Sequence, residues 1–184
     1  MMTCRPMLAK EYQGTDPAGW WMSEKLDGVR AIWDCTRFLS RNGRELQFNG
    51  ATLAAMPPGV VLDGEIYGGP GQFQNTAAMV RRRTWYNLRF MIFDAPREGP
   101  FESRIAWAEG AVWRDWKARG IWDSPCAIVA QTECQSRQHL REFEEGILAR
   151  GGEGVMLRRA GSVYAGKRSP DLLKLTFLAT RDNE

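Results

Sequence analysis

Within the stretch EKLDGVR (residues 24–30), Lys25 stands between the acids Glu24 and Asp27, and Gly28 and Arg30 follow directly. The bulky run Trp20-Trp21-Met22 precedes it. A lysine attacks only as the neutral amine, so a site that uses one must lower its pKa by desolvation or by neighbouring cations. Arg30 and Lys174 could supply that positive charge. The natural target is an electrophilic phosphorus, with a metal held by Glu65 or Glu153 screening the phosphate oxygens. That combination predicts covalent nucleotidyl transfer.

Each of these residues also has an ordinary reading. Alone, Lys25 before a tight turn is a solvated charge, as are Glu65 in LDGEIY and Glu153 in GGEGVM. Their common context argues for chemistry. Each lies beside an apolar strand and a glycine, whose missing side chain lets the backbone approach a ligand closely.

The elements that must position them are short strands and a few helices. WWMSEK and VRAIWDC flank Leu26-Asp27-Gly28 as strand, tight turn, strand. FLSRNG ends on Asn42-Gly43, a hairpin signal because both residues tolerate positive φ. VVLDGEIYGG and LRFMIFDAP read as strands with a short helix in NTAAMVRRR between them, and GGPGQF lacks P-loop spacing and reads as a turn. In SRIAWAEGAVWRDWKARG the apolar Ile105, Ala108, Val112 and Trp116 recur at helical spacing up to Gly120, with Trp107 and Trp113 also assigned to the core. Leu140, Phe143, Ile147 and Leu148 mark a second helix between Ser136 and Gly151, with His139, Glu144 and Glu145 facing solvent. The strands GVMLRR and DLLKLTF close the pattern. Clustered strands interrupted by a few helices predict one α+β domain spanning 1–184.

Composition bounds the alternatives. The 184 residues suit a single core, and 43% hydrophobic residues with eight tryptophans exclude a disordered chain. A net charge of +3 does not by itself identify a nucleic-acid binder. Cys4, Cys35, Cys126 and Cys134 show no Cys-x-x-Cys spacing, and the single His139 offers few partners for zinc, so reduced thiols in a cytoplasmic setting are expected. No stretch approaches a membrane span or a secretory leader.

EKLDGVR resembles motif I, Lys-x-Asp-Gly-x-Arg, of the covalent nucleotidyltransferases: ATP-dependent DNA ligases, RNA ligases and mRNA capping enzymes. The other family segments follow in order. SRNG resembles the next arginine element, LDGEI motif III, FMIFD motif IIIa, EGVM motif IV and LLKL the start of motif V. Over Met7 to Leu175 the chain is most similar to minimal bacterial and viral ATP-dependent DNA ligases. The resemblance implies an α+β nucleotidyltransferase domain, with antiparallel sheets around an ATP groove and helices outside.

It also implies roles. Lys25 would attack the α-phosphate of ATP and become lysyl-AMP, and Asp27 would serve in the later steps on the nick. Glu24 and Arg30 would bind the nucleotide, Arg30 holding the ribose or the 5′-phosphate. Glu65 would bind the ribose or assist with metal, and Glu153 would ligate the divalent cation, Mg²⁺ or Mn²⁺. Phe93, otherwise a core residue, would stack on adenine. Lys174 would touch the α-phosphate, and Arg41 the nick phosphate. Arg81-Arg82-Arg83 would either follow the DNA backbone or form a solvated helix end. The implied partner is nicked double-stranded DNA, held through its phosphates by a monomer.

Two departures stand out. Motif V normally carries a second lysine where this chain has Thr176, a loss that Lys167 or Arg168 could make good. The family's oligonucleotide-binding (OB) barrel with motif VI follows motif V, whereas this chain ends at Glu184. The barrel is therefore expected to be cut away, dispensed with or supplied by a partner. The alternatives are an RNA ligase, a capping-type enzyme, or a DNA- or nucleotide-binding module with weak or lost catalysis.

Overall fold

The computed structural model describes residues 5–48, 50–122 and 124–177. In chain order the elements are β1 (Leu8–Glu11), β2 (Trp20–Glu24), β3 (Val29–Asp34), β4 (Phe38–Ser40), β5 (Glu45–Leu46), α1 (Gly50–Ala55) and β6 (Val61–Tyr67). There follow α2 (Phe73–Arg81), β7 (Arg89–Asp94), α3 (Phe101–Arg119), β8 (Cys126–Ile128), β9 (Thr132–Glu133), α4 (Arg137–Ala149), β10 (Gly154–Arg159) and β11 (Arg168–Thr176). This is the expected α+β mixture.

Two sheets organise the chain. One has the order β1-β11-β10-β2-β9, the other β5-β4-β3-β6-β7-β8. Pairing is antiparallel except at two places, where β1 runs parallel to β11 and β7 parallel to β8. The strands either side of Leu26-Asp27-Gly28 do not pair with each other. β2 lies against β10 and β9 in the first sheet, whereas β3 lies between β4 and β6 in the second. The turn is thus a crossover between sheets, and it puts Lys25 and Asp27 at their junction.

The glycine of that crossover serves the backbone. A Cβ on Gly28 would collide with the carbonyl oxygen of Ile66, and one on Gly154 with that of Leu175. These glycines let strands approach strands, which corrects the expectation that they open the backbone to a ligand.

Each sheet has its own core. Trp33, Phe38, Leu62, Ile66, Phe90 and Ile92 of the six-stranded sheet are buried with Ala108, Val112 and Trp116 of α3. Met22, Val155, Leu157 and Leu173 of the five-stranded sheet are buried with Leu140 and Ile147 of α4. Phe38 centres an aromatic cluster, with ring centroids 4.9 Å from Phe90, 5.1 Å from Trp33 and 5.7 Å from Trp85. Helix ends follow sequence chemistry. Ser136 caps α4 by accepting from the His139 amide at 3.1 Å, and Gly120 closes α3 in the left-handed conformation at φ 66°.

The helical faces needed correction. Trp113 is 56% exposed rather than core, and Leu148 is exposed as well. The fully buried side chain near Ile105 is Arg104, whose charge is matched internally. His139 is half-buried, its Nδ1 accepting from the Gln135 amide at 3.3 Å, so it does not simply face solvent. At the hairpin, Gly43 alone of the Asn42-Gly43 pair takes positive φ, at 76°. It closes a β4–β5 turn in which Ser40 and Arg44 exchange hydrogen bonds.

Candidate active site

The cleft between the two sheets is a cavity of about 310 Å³, within the range of small-molecule sites. One wall comes from the five-stranded sheet, with Ser23, Glu24, Lys25, Met156, Leu172 and Lys174. The other comes from the six-stranded sheet, with Arg30, Arg41, Glu65 and Phe93. Residues from 24 to 174 in sequence therefore meet in one place. Asp27 and Glu153 line an adjoining cavity of about 300 Å³, which shares Glu24 and Lys25 with the first. Lys25 thus lies where the two cavities meet.

Lys25 follows the last residue of β2 and is fixed through its backbone, its amide donating to the Gly154 carbonyl at 2.8 Å. Its Nζ donates to Glu153 Oε1 in an ion pair. Glu24 is held by Arg150 at the end of α4, at 2.8 Å. In the second cavity Tyr67 faces this acidic set. Burial, and then the Glu24 and Asp27 charges, push its hydroxyl up to about 12.

On the other wall strand register does the positioning. Arg30 on β3 stands opposite Glu65 on β6, so Asp63, two residues away on the same face, is its diagonal neighbour. Arg30 grips Asp63 with two hydrogen bonds, Nε to Oδ1 at 2.7 Å and Nη2 to Oδ2 at 2.6 Å. The Tyr164 hydroxyl donates to the same Oδ2 at 2.7 Å, and Arg30 Nη2 also reaches the Met7 carbonyl at 3.2 Å. Burial works against the Arg30 charge, and the Asp63 pair more than offsets it, so its pKa lies above the ordinary arginine value. The guanidinium lies 4.6 Å from the centroid of Phe93, whose ring faces the cleft.

Glu65 is tuned differently. Burial pushes its carboxyl up to about 8, with Arg30 opposing and Asp63 adding to the rise. Among the described residues no hydrogen bond holds that carboxyl, which leaves both oxygens for a ligand.

Lys174 on β11 pairs with Glu11 on β1 at 2.8 Å. This corrects the expectation of free positive charge around Lys25, because Arg30 and Lys174 are each matched by a carboxylate, Asp63 and Glu11. Arg41 is exposed at the β4–β5 turn on the rim of the cleft. Of the two stand-ins considered for the missing lysine, Arg168 lines the cleft, whereas Lys167 does not. Thr176 itself ends β11 opposite Gly154, with its hydroxyl buried and unpartnered among the described residues.

Beneath the cleft is a charge cluster that no sequence motif marks. Asp94, at the end of β7, accepts from Arg104 of α3 at 2.8 and 3.0 Å and from Arg158 of β10 at 3.0 Å, all three buried. Arg104 also donates to the carbonyls of Gly99 and Ser162 at 2.7 and 2.6 Å. Burial presses the pKa of Arg158 below the ordinary arginine value; Asp94 pulls it up and Arg104 pushes it down. The helical spacing Phe101, Arg104, Ala108, Val112 was the available signal, since it sets Arg104 on the buried face.

The carboxylates fit a hard divalent cation. Among the described residues no group of three or more His, Cys, Asp and Glu side chains gathers as in an all-protein metal cage. Mg²⁺ commonly takes only one or two carboxylates, with water and substrate phosphate completing its shell. Glu65 in the cleft and Glu153 in the adjoining cavity, on either side of Lys25, offer that set.

No family model matches the chain. A curated DNA ligase of Haemophilus influenzae is 31% identical over 176 residues, which cover 92% of this chain and 62% of that protein. The chain thus spans less than two thirds of that relative. Among solved structures, a Lig E DNA ligase described as binding DNA with a minimal scaffold is 32% identical. It has a TM-score of 0.80, covering 94% of this chain and 68% of that one. The Chlorella virus DNA ligase-adenylate shares the fold at a TM-score of 0.78 and 22% identity, over 94% of this chain and 68% of that one. By sequence and by fold, the chain belongs to the DNA ligase family.

Proposed function

We propose that this chain carries the nucleotidyl-transfer site of an ATP-dependent DNA ligase that seals nicks in duplex DNA. The observation that carries the reading is the meeting of Lys25, Glu65, Phe93 and Lys174 around one cleft, with Glu153 in contact with Lys25.

In the first stage Lys25 Nζ attacks the α-phosphorus of ATP. A P–N bond forms, the P–O bond to pyrophosphate breaks, and the amine proton passes to water as pyrophosphate leaves. The attack needs the neutral amine, so Nζ must first give up the proton it donates to Glu153 and then turn its lone pair to the phosphorus. Phe93 offers a rigid face to adenine, Arg30 and Glu65 border the ribose, and Lys174 exchanges Glu11 for the α-phosphate. Glu65 and Glu153 would hold Mg²⁺ or Mn²⁺, which supplies charge screening on the phosphate oxygens. AMP then passes to the 5′-phosphate of the nick, where Asp27 and Arg41 act, and the 3′-hydroxyl displaces it. Each stage is in-line phosphoryl chemistry, so the protein mainly positions groups and offsets charge. Arg168 takes the place of the missing motif V lysine.

Family membership supports DNA rather than RNA as the joined strand. Cys35, Cys126 and Cys134 are free thiols, which supports a reducing, cytoplasmic setting. Among the described residues no helix is long and apolar enough to cross a membrane.

Intact-mass measurement after incubation with ATP and Mg²⁺ tests the proposal. The chain should gain one AMP, and Lys25→Ala should abolish the gain. A covalent adenylate that persists in Lys25→Ala would sink the assignment.

A further inference from the structure

We propose that the arginine-rich face formed by the end of α2, the loop after it and the start of β7 docks the phosphate backbone of duplex DNA, outside the nucleotide cleft. The inference rests on the nick-sealing reading and names the surface that grips the duplex.

Between Glu65 and Asp94 the sequence contains no Asp or Glu, but it does contain Arg81, Arg82, Arg83 and Arg89. All four are exposed, and among the described residues none of their guanidiniums has a hydrogen-bond or ion-pair partner. Outward-facing arginines elsewhere divide. Arg37, Arg119, Arg150 and Arg159 each pair with a carboxylate, whereas Arg41, Arg44, Arg114 and Arg137 also lack a partner among the described residues. What sets this stretch apart is four arginines with no acid between Glu65 and Asp94. Basic residues at a helix C-terminus complement its dipole, which accounts for Arg81 and its neighbour. It does not account for Arg89 on a strand, nor for Tyr86, which is 72% exposed beside them.

The loop is built to present these groups. Its Trp85 packs edge-on to Phe48 at 4.5 Å, and Leu88 is buried. Its amides at Arg82, Arg83 and Thr84 close the helix by donating to Ala78, Val80 and Met79. Arg83 and Asn87 take left-handed backbone at φ 61° and 54°, a conformation held by that anchoring. A fixed loop loses little entropy on binding.

Its position suits a nicked duplex. Arg89, Met91 and Phe93 alternate onto one face of β7, and Phe93 lines the nucleotide cleft. Four residues of strand place Arg89 about 13 Å from Phe93 along that face. Arg89 also pairs in register with Tyr67, which lines the cavity holding Lys25 and Asp27. Guanidiniums at that distance meet backbone phosphates beyond the nick, and Tyr86 adds an uncharged phosphate donor.

The test is the salt dependence of affinity for a nicked duplex, with the full chain and the variant Arg81→Gln/Arg82→Gln/Arg83→Asn, together with covalent AMP formation. The slope of log K against log salt should fall by about 2 to 3, at about 0.9 per phosphate contact. AMP formation should remain at the parent level. Should the triple variant lose adenylation, Arg89→Gln is read instead, with an expected fall of about one contact. An unchanged slope overturns the proposal. So does an equal fall in Arg137→Gln/Arg141→Gln on α4, which would show a general charge effect. Binding to anionic lipid vesicles that depends on these arginines as strongly as DNA binding does would also overturn it. If the parent chain forms no adenylate yet the slope falls as stated, the docking surface stands and the nick-sealing reading fails.

Discussion

Arg30, Arg104 and Arg158 lie beneath or within the cleft, each locked to a carboxylate, whereas Arg81, Arg82, Arg83 and Arg89 stand in water with no partner among the described residues. The same side chain does two kinds of work. A buried guanidinium must be matched, because an uncompensated charge away from water costs several kcal/mol, and once matched its planar fork fixes geometry. An exposed one keeps its donors for a phosphate and is screened by salt. Within the first set the Arg158–Asp94 pair joins β10 to β7 across the two sheets, while Arg30–Asp63 and Arg104–Asp94 brace the six-stranded sheet and its helix; the second set leaves a surface open to a partner.

The largest effect expected from breaking this contrast is at Asp94. Asp94→Asn leaves two buried arginines without their carboxylate and should destabilise the fold by about 3 to 5 kcal/mol, read by denaturant unfolding. A loss below about 1 kcal/mol would mean that the carbonyls of Gly99 and Ser162 suffice to hold Arg104. Next is Glu65, a half-buried carboxyl without a hydrogen-bonded cation. Its folded pKa of about 8 lies above the unfolded value, so the native state binds the extra proton between about pH 4.5 and 8 and loses stability as pH rises through that window. In metal-free protein, Glu65→Gln should therefore gain on the parent in melting temperature from pH 5 to pH 8. A constant difference would show that the carboxyl is already ionised. The smallest effect is at Arg82, where Arg82→Gln should change stability by less than about 0.5 kcal/mol, since nothing folded depends on it. A larger loss would mean that Arg82 is structural.

Much of the site was legible from chain chemistry. The residues that the ordered motifs single out, Lys25, Glu65, Phe93 and Lys174, line one cleft, and Ser136 and Gly120 stand at the helix ends their chemistry signals. Less legible were short elements with weak periodicity. β1, β5, β8, β9 and α1 went unpredicted, because segments of two to six residues carry too little pattern. Yet β1 supplies Glu11 to Lys174, and Met7 just before it supplies its carbonyl to Arg30. Hydrophobicity alone puts Trp113 inward, but α3 turns Arg104 toward Asp94 and leaves Trp113 outside.

By itself the sequence determined the candidate residue types, their order, the α+β class and the family, since these depend on local spacing and composition. Tertiary structure decided which charges meet. Asp63 with Arg30, Asp94 with Arg104 and Arg158, Glu153 with Lys25 and Glu11 with Lys174 are pairings between separate elements. No local pattern encodes them, because a charge pair is fixed by strand register and by the distance between sheets rather than by separation along the chain.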